Sequence, residues 1–291
     1  MLPFLVLVLI TAVWGVTFVQ VKDAVALYPL FAFLGLRFAI ATATLSLPGV
    51  SRLRAFPRAG WTAAALCGAL LGSGYALQTA GLERTTVSSA GFVTGMYVVL
   101  TPLLVLALFR VRIEAAAWGG VALATGGLGL LAGVHGGGAL GDLLVLASAG
   151  VYALQIVLME RYAPLYDGVA FTLVEMATAC AGLVVVALAL GEVAVPRGLT
   201  VWGALVVTGI FASALGFLAQ TWAQRHTSAT RTALAFSLEP VWAALFGVTL
   251  AGDRLGATGW VGCGVIMAGI ALAEPSTAAT LARLVGAARS S

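Results

Sequence analysis

The feature that most constrains this chain is a succession of long apolar runs, cut at short intervals by charges, glycines and prolines. The runs fall at approximately residues 3–21, 28–47, 59–81, 87–109, 115–133, 141–161, 168–190, 200–223, 230–250 and 257–273. Each is close to the ~20 apolar residues a helix needs to cross ~30 Å of hydrocarbon. A soluble domain carries about 25% charged residues, whereas this chain of 291 carries 9%, with 61% hydrophobic residues and a mean hydropathy of +1.07. No soluble core hides that much apolar surface. Ten spans use about 200 residues, which leaves short links and no room for a separate soluble domain. The sequence therefore predicts an all-α integral membrane protein of ten transmembrane helices. The first run lacks a basic leader and a small-residue cleavage site, and is read as a retained helix.

The net charge of +4 does not indicate nucleic acid, because the basic residues are scattered in ones and twos between the runs. They report topology instead, since Lys and Arg favour cytoplasmic loops. With the N-terminus inside, ten of the 15 fall on one side: Arg52, Arg54, Arg58, Arg110, Arg112, Arg161, Arg225, Arg231, Arg283 and Arg289. Lys22, Arg84, Arg197 and Arg254 fall on the other, and Arg37 lies within a span. A multi-pass protein of the cytoplasmic membrane, with both termini cytoplasmic, is expected. Cys67, Cys180 and Cys263 lie in apolar runs without CxxC spacing, so neither a disulfide framework nor a metal site is expected.

Self-comparison shows an internal repeat. A shift of 138 residues sets Trp14 on Tyr152, Arg37 on Glu175, and Thr101-Pro102 on Glu239-Pro240; a shift of 142 sets Gln78-Thr79 on Gln220-Thr221 and Trp118 on Trp260. The second half then carries about four extra residues near residues 251–254. The expected division is a first five-helix repeat over 1–138, a second over 139–275, and a cytoplasmic tail over 276–291. Five is odd, so the second repeat enters the membrane from the opposite side. Such 5+5 inverted repeats are characteristic of secondary transporters, whose site lies near the midplane between halves that rock to give alternating access.

Ionisable residues inside spans cost about 2.5–3.5 kcal/mol on insertion scales. Arg37 and Glu175, at equivalent repeat positions, either pair with each other or sit separately at packing interfaces, a structural reading that is favoured over a functional one. Glu239 precedes Pro240 in mid-span, where proline frees a backbone carbonyl and opens the helix. Its carboxylate either caps the kink or couples transport to a proton. Polar and aromatic residues near span centres, Trp14, Thr17, Tyr75, Gln78, Tyr97, Thr101, Tyr152, Gln155 and Gln220, complete a candidate cavity with Glu239. Gln20, Thr79 and Trp222 belong to the same class, and any one of these residues alone could simply bridge neighbouring helices. Trp61, Trp202 and Trp260 are expected interfacial anchors. The 36 glycines recur at small-xxx-small spacing and read as helix packing, without a phosphate-loop context. His135 and His226 fall on opposite faces of the expected topology, and no serine–histidine–acid or HExxH set supports catalysis. No cofactor and no metal is expected, and the oligomeric state is open, a monomer being compatible.

Trp14-Gly15-Val16-Thr17-Phe18, Leu36-Arg37-Phe38, Leu238-Glu239-Pro240 followed by Ala243-Ala244-Leu245-Phe246-Gly247, and the run Gly262 to Ala271 occur in an order that resembles the EamA family of the drug/metabolite transporter superfamily. The resemblance covers essentially the whole chain. It implies transport of small metabolites, often amino acid export, through a cavity lined by the first, third, fourth, sixth, eighth and ninth helices, and points toward an aromatic amino acid exporter. Three places depart from the family pattern: Thr101 stands where an acid precedes proline, Arg110-Val111-Arg112 replaces a common Gly-Glu, and Gly252-Asp253-Arg254 keeps only the shorter acid. The expected function is a secondary transporter, embedded in membrane lipid, that moves a small solute outward; a membrane-embedded enzyme and a passive channel are the alternatives.

Overall fold

The computed structural model describes residues 2–85, 87–132, 139–250 and 255–273. His135, the extra residues 251–254 and the tail 276–291 lie outside the described residues. The first half comprises α1 (Leu2–Val25), α2 (Leu30–Leu53), α3 (Arg58–Leu82), α4 (Val87–Gly95), α5 (Tyr97–Phe109) and α6 (Ala115–Ala132). The second comprises α7 (Ala139–Tyr162), α8 (Gly168–Ala189), α9 (Gly198–Val206), a π-helical stretch (Val207–Leu215), α10 (Gly216–Gln224), α11 (Ala229–Phe236), α12 (Glu239–Leu250) and α13 (Ala257–Ala273). Grouped by continuity these make ten spans among the described residues: α4 with α5 is the fourth, α9 through α10 the eighth, and α11 with α12 the ninth. Five stretches are individually long and apolar enough to cross a membrane, and Val93–Phe109, Ala115–Leu130 and Ala257–Ala273 are shorter apolar helices.

Two spans read as continuous from sequence are broken. The fourth breaks at Met96 and the ninth at Ser237 and Leu238, immediately before Glu239-Pro240. The cause in the ninth is explicit: Pro240 has no N–H to offer the preceding turn, and it sits at the second position of α12, where a missing donor costs nothing. The eighth span stays continuous but changes its hydrogen-bond period over Val207–Leu215. Such i→i+5 segments often accompany functional sites.

The main packing pairs cross between the halves. The second span packs on the seventh, the fifth on the tenth, the third on the sixth and, equivalently, the first on the eighth. The fourth-on-sixth and ninth-on-first contacts form another equivalent pair. Exchanging the halves maps this pattern onto itself, as a two-fold relation between inverted repeats requires. Glycines make the close approaches possible. A methyl at Gly120 would fall 2.6 Å from the Gly269 carbonyl oxygen, and one at Gly127 would fall 2.7 Å from that of Gly262; the two pairs exchange under the 142-residue shift.

Polar ties secure both ends of the bundle. At the end rich in arginine, here the basic end, Arg52 Nη1 donates to Asp167 Oδ2 at 2.8 Å, and Asp167 caps α8 by accepting from the Ala170 N–H at 2.9 Å. Burial alone would raise the Asp167 carboxyl, but these bonds and the nearby guanidinium hold it below its ordinary value. At the far end Glu192 Oε2 caps α2, accepting from the Phe31 N–H at 2.7 Å, and the Thr85 hydroxyl donates to Asp142 at 2.6 Å.

Candidate solute cavity

The aromatic residues that flank the centre are seated by the other half. Tyr152 on α7 lies against Gly74 of α3, where an added methyl would meet the ring at 2.5 Å; Trp14 on α1 lies against Gly216 of α10, where it would meet Nε1 at 3.1 Å. These are repeat-equivalent pairs, so each ring fills space left by a missing side chain across the interface. Trp14 Nε1 also donates to the Ala212 carbonyl at 2.8 Å, an oxygen within the π-helical stretch. The ring lies 5.4 Å from Phe217 and 4.9 Å from Phe236, centroid to centroid.

Between these rings lie two small lobes. The first, about 50 Å³, is lined by Trp14, Leu71, Tyr75, Gln78, Thr94, Tyr97, Tyr152, Gln155, Ile156, Phe217, Gln220, Phe236 and Glu239. The second, about 40 Å³, is lined by Trp14, Thr17, Val21, Arg37, Tyr75, Gln78, Thr79, Leu82 and Glu239. The lobes share Trp14, Tyr75, Gln78 and Glu239 and are therefore adjacent. A water needs roughly 10–15 Å³ of such volume, whereas sites for drug-sized ligands run to about 300–1,000 Å³. In this conformation the lobes have room for a few waters and not for a metabolite.

Hydrogen bonds set the polar groups. Gln78 donates from Nε2 to Thr94 Oγ1 at 3.1 Å and accepts at Oε1 from the Tyr152 hydroxyl at 3.1 Å. Arg37 is 3% exposed. Its Nε donates to Ser213 Oγ at 2.8 Å and its Nη2 to the Tyr75 hydroxyl at 3.1 Å, with the guanidinium carbon 4.5 Å from the Tyr75 ring centroid. A desolvated cation over an aromatic face is worth about 2 kcal/mol. Ser213, like Ala212, belongs to the π-helical stretch, so that local irregularity holds both Trp14 and Arg37. Arg37 does not pair with Glu175, and no ion pair joins it to Glu239 among the described residues.

The lobes are sealed differently toward the two ends. Toward the basic end Gln220 Nε2 donates to Gln224 Oε1 at 2.8 Å, and Gln224 Nε2 donates to the Ile156 carbonyl at 2.9 Å. Gln220 also contacts Gln155 Oε1 at 3.3 Å, and Gln155 donates to Glu175 Oε1 at 2.8 Å. Beyond this plug Glu160 Oε2 accepts from the Ala229 N–H at 3.0 Å. Toward the far end Val21 and Leu82 line the second lobe. Past Leu82 opens a recess of about 540 Å³ lined by Tyr28, Ala80, Glu83, Arg84, Glu192 and neighbouring residues.

This two-repeat helical bundle with a central polar, aromatic cavity has relatives. The EamA-like transporter family matches residues 1–133 and again residues 139–273. The chain belongs to the EamA-like transporter family. An "Uncharacterized transporter" from Archaeoglobus fulgidus is 29% identical over 269 residues, covering 90% of this chain and 82% of its own. A crystal structure of a protein with 20% identity superposes with a TM-score of 0.78 over 96% of this chain and 97% of its own, which bears on the fold alone. This EamA-like protein is thus a multi-pass membrane transporter.

Of the candidate residues in the EamA-like chain, Trp14, Thr17, Tyr75, Gln78, Tyr97, Tyr152, Gln155, Gln220 and Glu239 line one or both lobes. Thr101 does not; it is buried in α5, and its hydroxyl has no partner among the described residues. Trp222 is 38% exposed and contacts His226 rather than the cavity. The sequence reading leaves out Phe217, Phe236, Leu71, Ile156, Val21 and Leu82, which are apolar like their surroundings, and also Thr94, which lines the first lobe and accepts from Gln78. Phe217 alone had a signal, because the 142-residue shift places it on Tyr75. Arg37 was read as structural, yet it also faces the second lobe.

Proposed function

We propose that this transporter exports amino acids or related zwitterions, aromatic ones included, by alternating access. The observation that carries the reading is the second lobe, where the Arg37 guanidinium and the Glu239 carboxylate share one wall with Trp14 and Tyr75 and form no ion pair with each other. Opposite charges held apart in a cavity are suited to a solute that carries both. Arg37 Nη1, which has no hydrogen bond among the described residues, would take the solute carboxylate, and Glu239 the ammonium group. Trp14, Tyr75 and Phe217 would supply the apolar faces for the rest of the molecule. A proton competing with the ammonium group for Glu239 would couple the two. In this reading the moving bodies are the halves 1–138 and 139–275. The basic end faces the cytoplasm by the charge bias of the loops, and residues 276–291 form a cytoplasmic tail.

The test is a set of proteoliposomes preloaded with individual amino acids and assayed for counterflow. Saturable exchange of zwitterionic solutes, lost when the carboxylate or the amine is blocked, is the expected result. Flux without saturation or counterflow would mean a channel, chemical conversion of a solute an enzyme, and saturable exchange confined to uncharged or singly charged solutes a different substrate class.

A further inference from the structure

Glu175 on α8 lies outside both lobes, and neither the cavity nor the ties at the bundle ends use its charge. It is fully buried. Oε1 accepts from Gln155 Nε2 at 2.8 Å, but Oε2 is buried without a partner among the described residues. The Gln155 amide oxygen is reached by Gln220 Nε2 at 3.3 Å, and Gln220 Oε1 is likewise buried and unpartnered. Three side chains from the sixth, seventh and eighth spans thus touch in series and carry two buried oxygens with no donor.

The surroundings offer no counter-charge. From α3 the titratable neighbour is the buried Cys67 thiol; α7 and α10 present the neutral Gln155 and Gln220. On α2 the Arg37 guanidinium is committed to Ser213 and Tyr75. No arginine, lysine or histidine forms an ion pair with Glu175 among the described residues. A buried charge without compensation is costly, and carboxylate and amide oxygens are the ligands hard cations take.

We propose that Glu175, with Gln155 and Gln220, binds one monovalent cation, a sodium ion or a proton, behind the first lobe, which Gln155 and Gln220 line and Glu175 does not, and that this occupancy holds the basic end shut. The bound cation neutralises Glu175 and draws the sixth, seventh and eighth spans together where Gln155, Gln220 and Gln224 form the plug. Opening of the basic end exposes the carboxylate to water and lets the ion leave, which ties ion release to solute access.

The purified full-length protein tests this without any solute, so the outcome is independent of the amino acid reading. Thermal midpoints are measured in sodium chloride against choline chloride at fixed pH, and across a pH series in choline. The wild type is expected to gain several degrees with sodium, or as the pH falls, and the arm that responds identifies the ion. Glu175→Gln should lose that response, whereas Arg52→Gln, at the surface tie of the basic end, should keep the response to sodium. Gln220→Leu, which leaves the carboxylate but removes one oxygen, should shift the half-maximal concentration by about tenfold, the equivalent of a lost ligand or hydrogen bond. A wild type indifferent to both ions, or a Glu175→Gln variant that responds like the wild type, overturns the proposal.

Discussion

The two ends of the cavity occupy equivalent places in the repeat and are closed by different chemistry. At the basic end Gln155, Gln220 and Gln224 form a ladder that ends on the Ile156 carbonyl. Their counterparts at the far end are Thr17, Gln78 and Leu82. Gln78 turns to Thr94 and Tyr152 instead, and Leu82 closes the lobe with an apolar side chain beside Val21. Buried hydrogen bonds contribute about 1 kcal/mol each, and leaving one partner unpaired costs about 1–3 kcal/mol. The far end, which adjoins the open recess, has fewer bonds to break. An inverted repeat gives two closures at equivalent places, and substitutions at a few positions give them different strengths.

The charged pair at the shared positions follows the same logic. Arg37 has a fixed charge satisfied by Ser213, Tyr75 and an aromatic face, whereas Glu175 has a charge with one bond and one unpaired oxygen. One half holds a permanent ion and the other a group that needs a partner.

The largest effect is expected from Arg37→Gln, which removes the fixed charge and strands the Ser213 and Tyr75 hydroxyls. Counterflow should fall by about a hundredfold or more, since two charge-assisted bonds are worth about 1.5–3 kcal/mol each. If the variant retains wild-type exchange, the contrast between the two positions has no functional weight. Glu239→Gln comes next: net transport should slow by about tenfold more than exchange, because exchange loses only the ammonium contact whereas the net cycle must also return an empty carrier without its proton. Equal loss of both would remove the proton role and leave Glu239 a solute contact or a structural cap. Gln224→Leu gives the basic end the residue of the far end and removes two hydrogen bonds. It should shift the gate equilibrium by about tenfold, or roughly 1.4 kcal/mol, read as faster maleimide labelling of a cysteine placed at Ile156. The reciprocal Leu82→Gln should change labelling little, as it has no prepared acceptor; an equal response would erase the asymmetry. The smallest effect belongs to the Arg52–Asp167 tie. A carboxyl held below its ordinary value contributes stability that is fully present above that value, 3.8, and is lost as the pH falls through the lowered one. The pair is half exposed, so Asp167→Asn should cost less than about 1 kcal/mol at neutral pH, seen as a small drop in Tm that disappears in acid.

The sequence made the spans legible because charges and prolines stand at the span breaks, and the repeat legible because Trp14/Tyr152 and Gln78/Gln220 keep their spacing. Most polar cavity residues could be found because a Gln or Thr stands out in an apolar run; Thr94 could not, because its partner Gln78 lies on another span. Leu71, Ile156 and Phe236 could not, since an apolar side chain looks the same whether it faces lipid, a neighbouring helix or a cavity. The break before Glu239-Pro240 had a local cause in the missing N–H, but the break at Met96 precedes its nearest proline by six positions. Nothing in Val207–Leu215 marks a change of helical period, and the partners that meet the stretch, Trp14 and Arg37, lie on other spans.

That stretch has a consequence for how the chain tolerates insertion and deletion. Each residue of a regular helix advances the face by about 100°, so the register of everything after Leu215 depends on how many residues the irregular turn absorbs. Removing Phe211 would let the wide turn close to the regular period and keep Gln220 and Gln224 near their partners, whereas removing a residue from the regular helix after Leu215 would rotate them away by about 100°. A hydropathy plot would not tell the two deletions apart, but the lock at the basic end would.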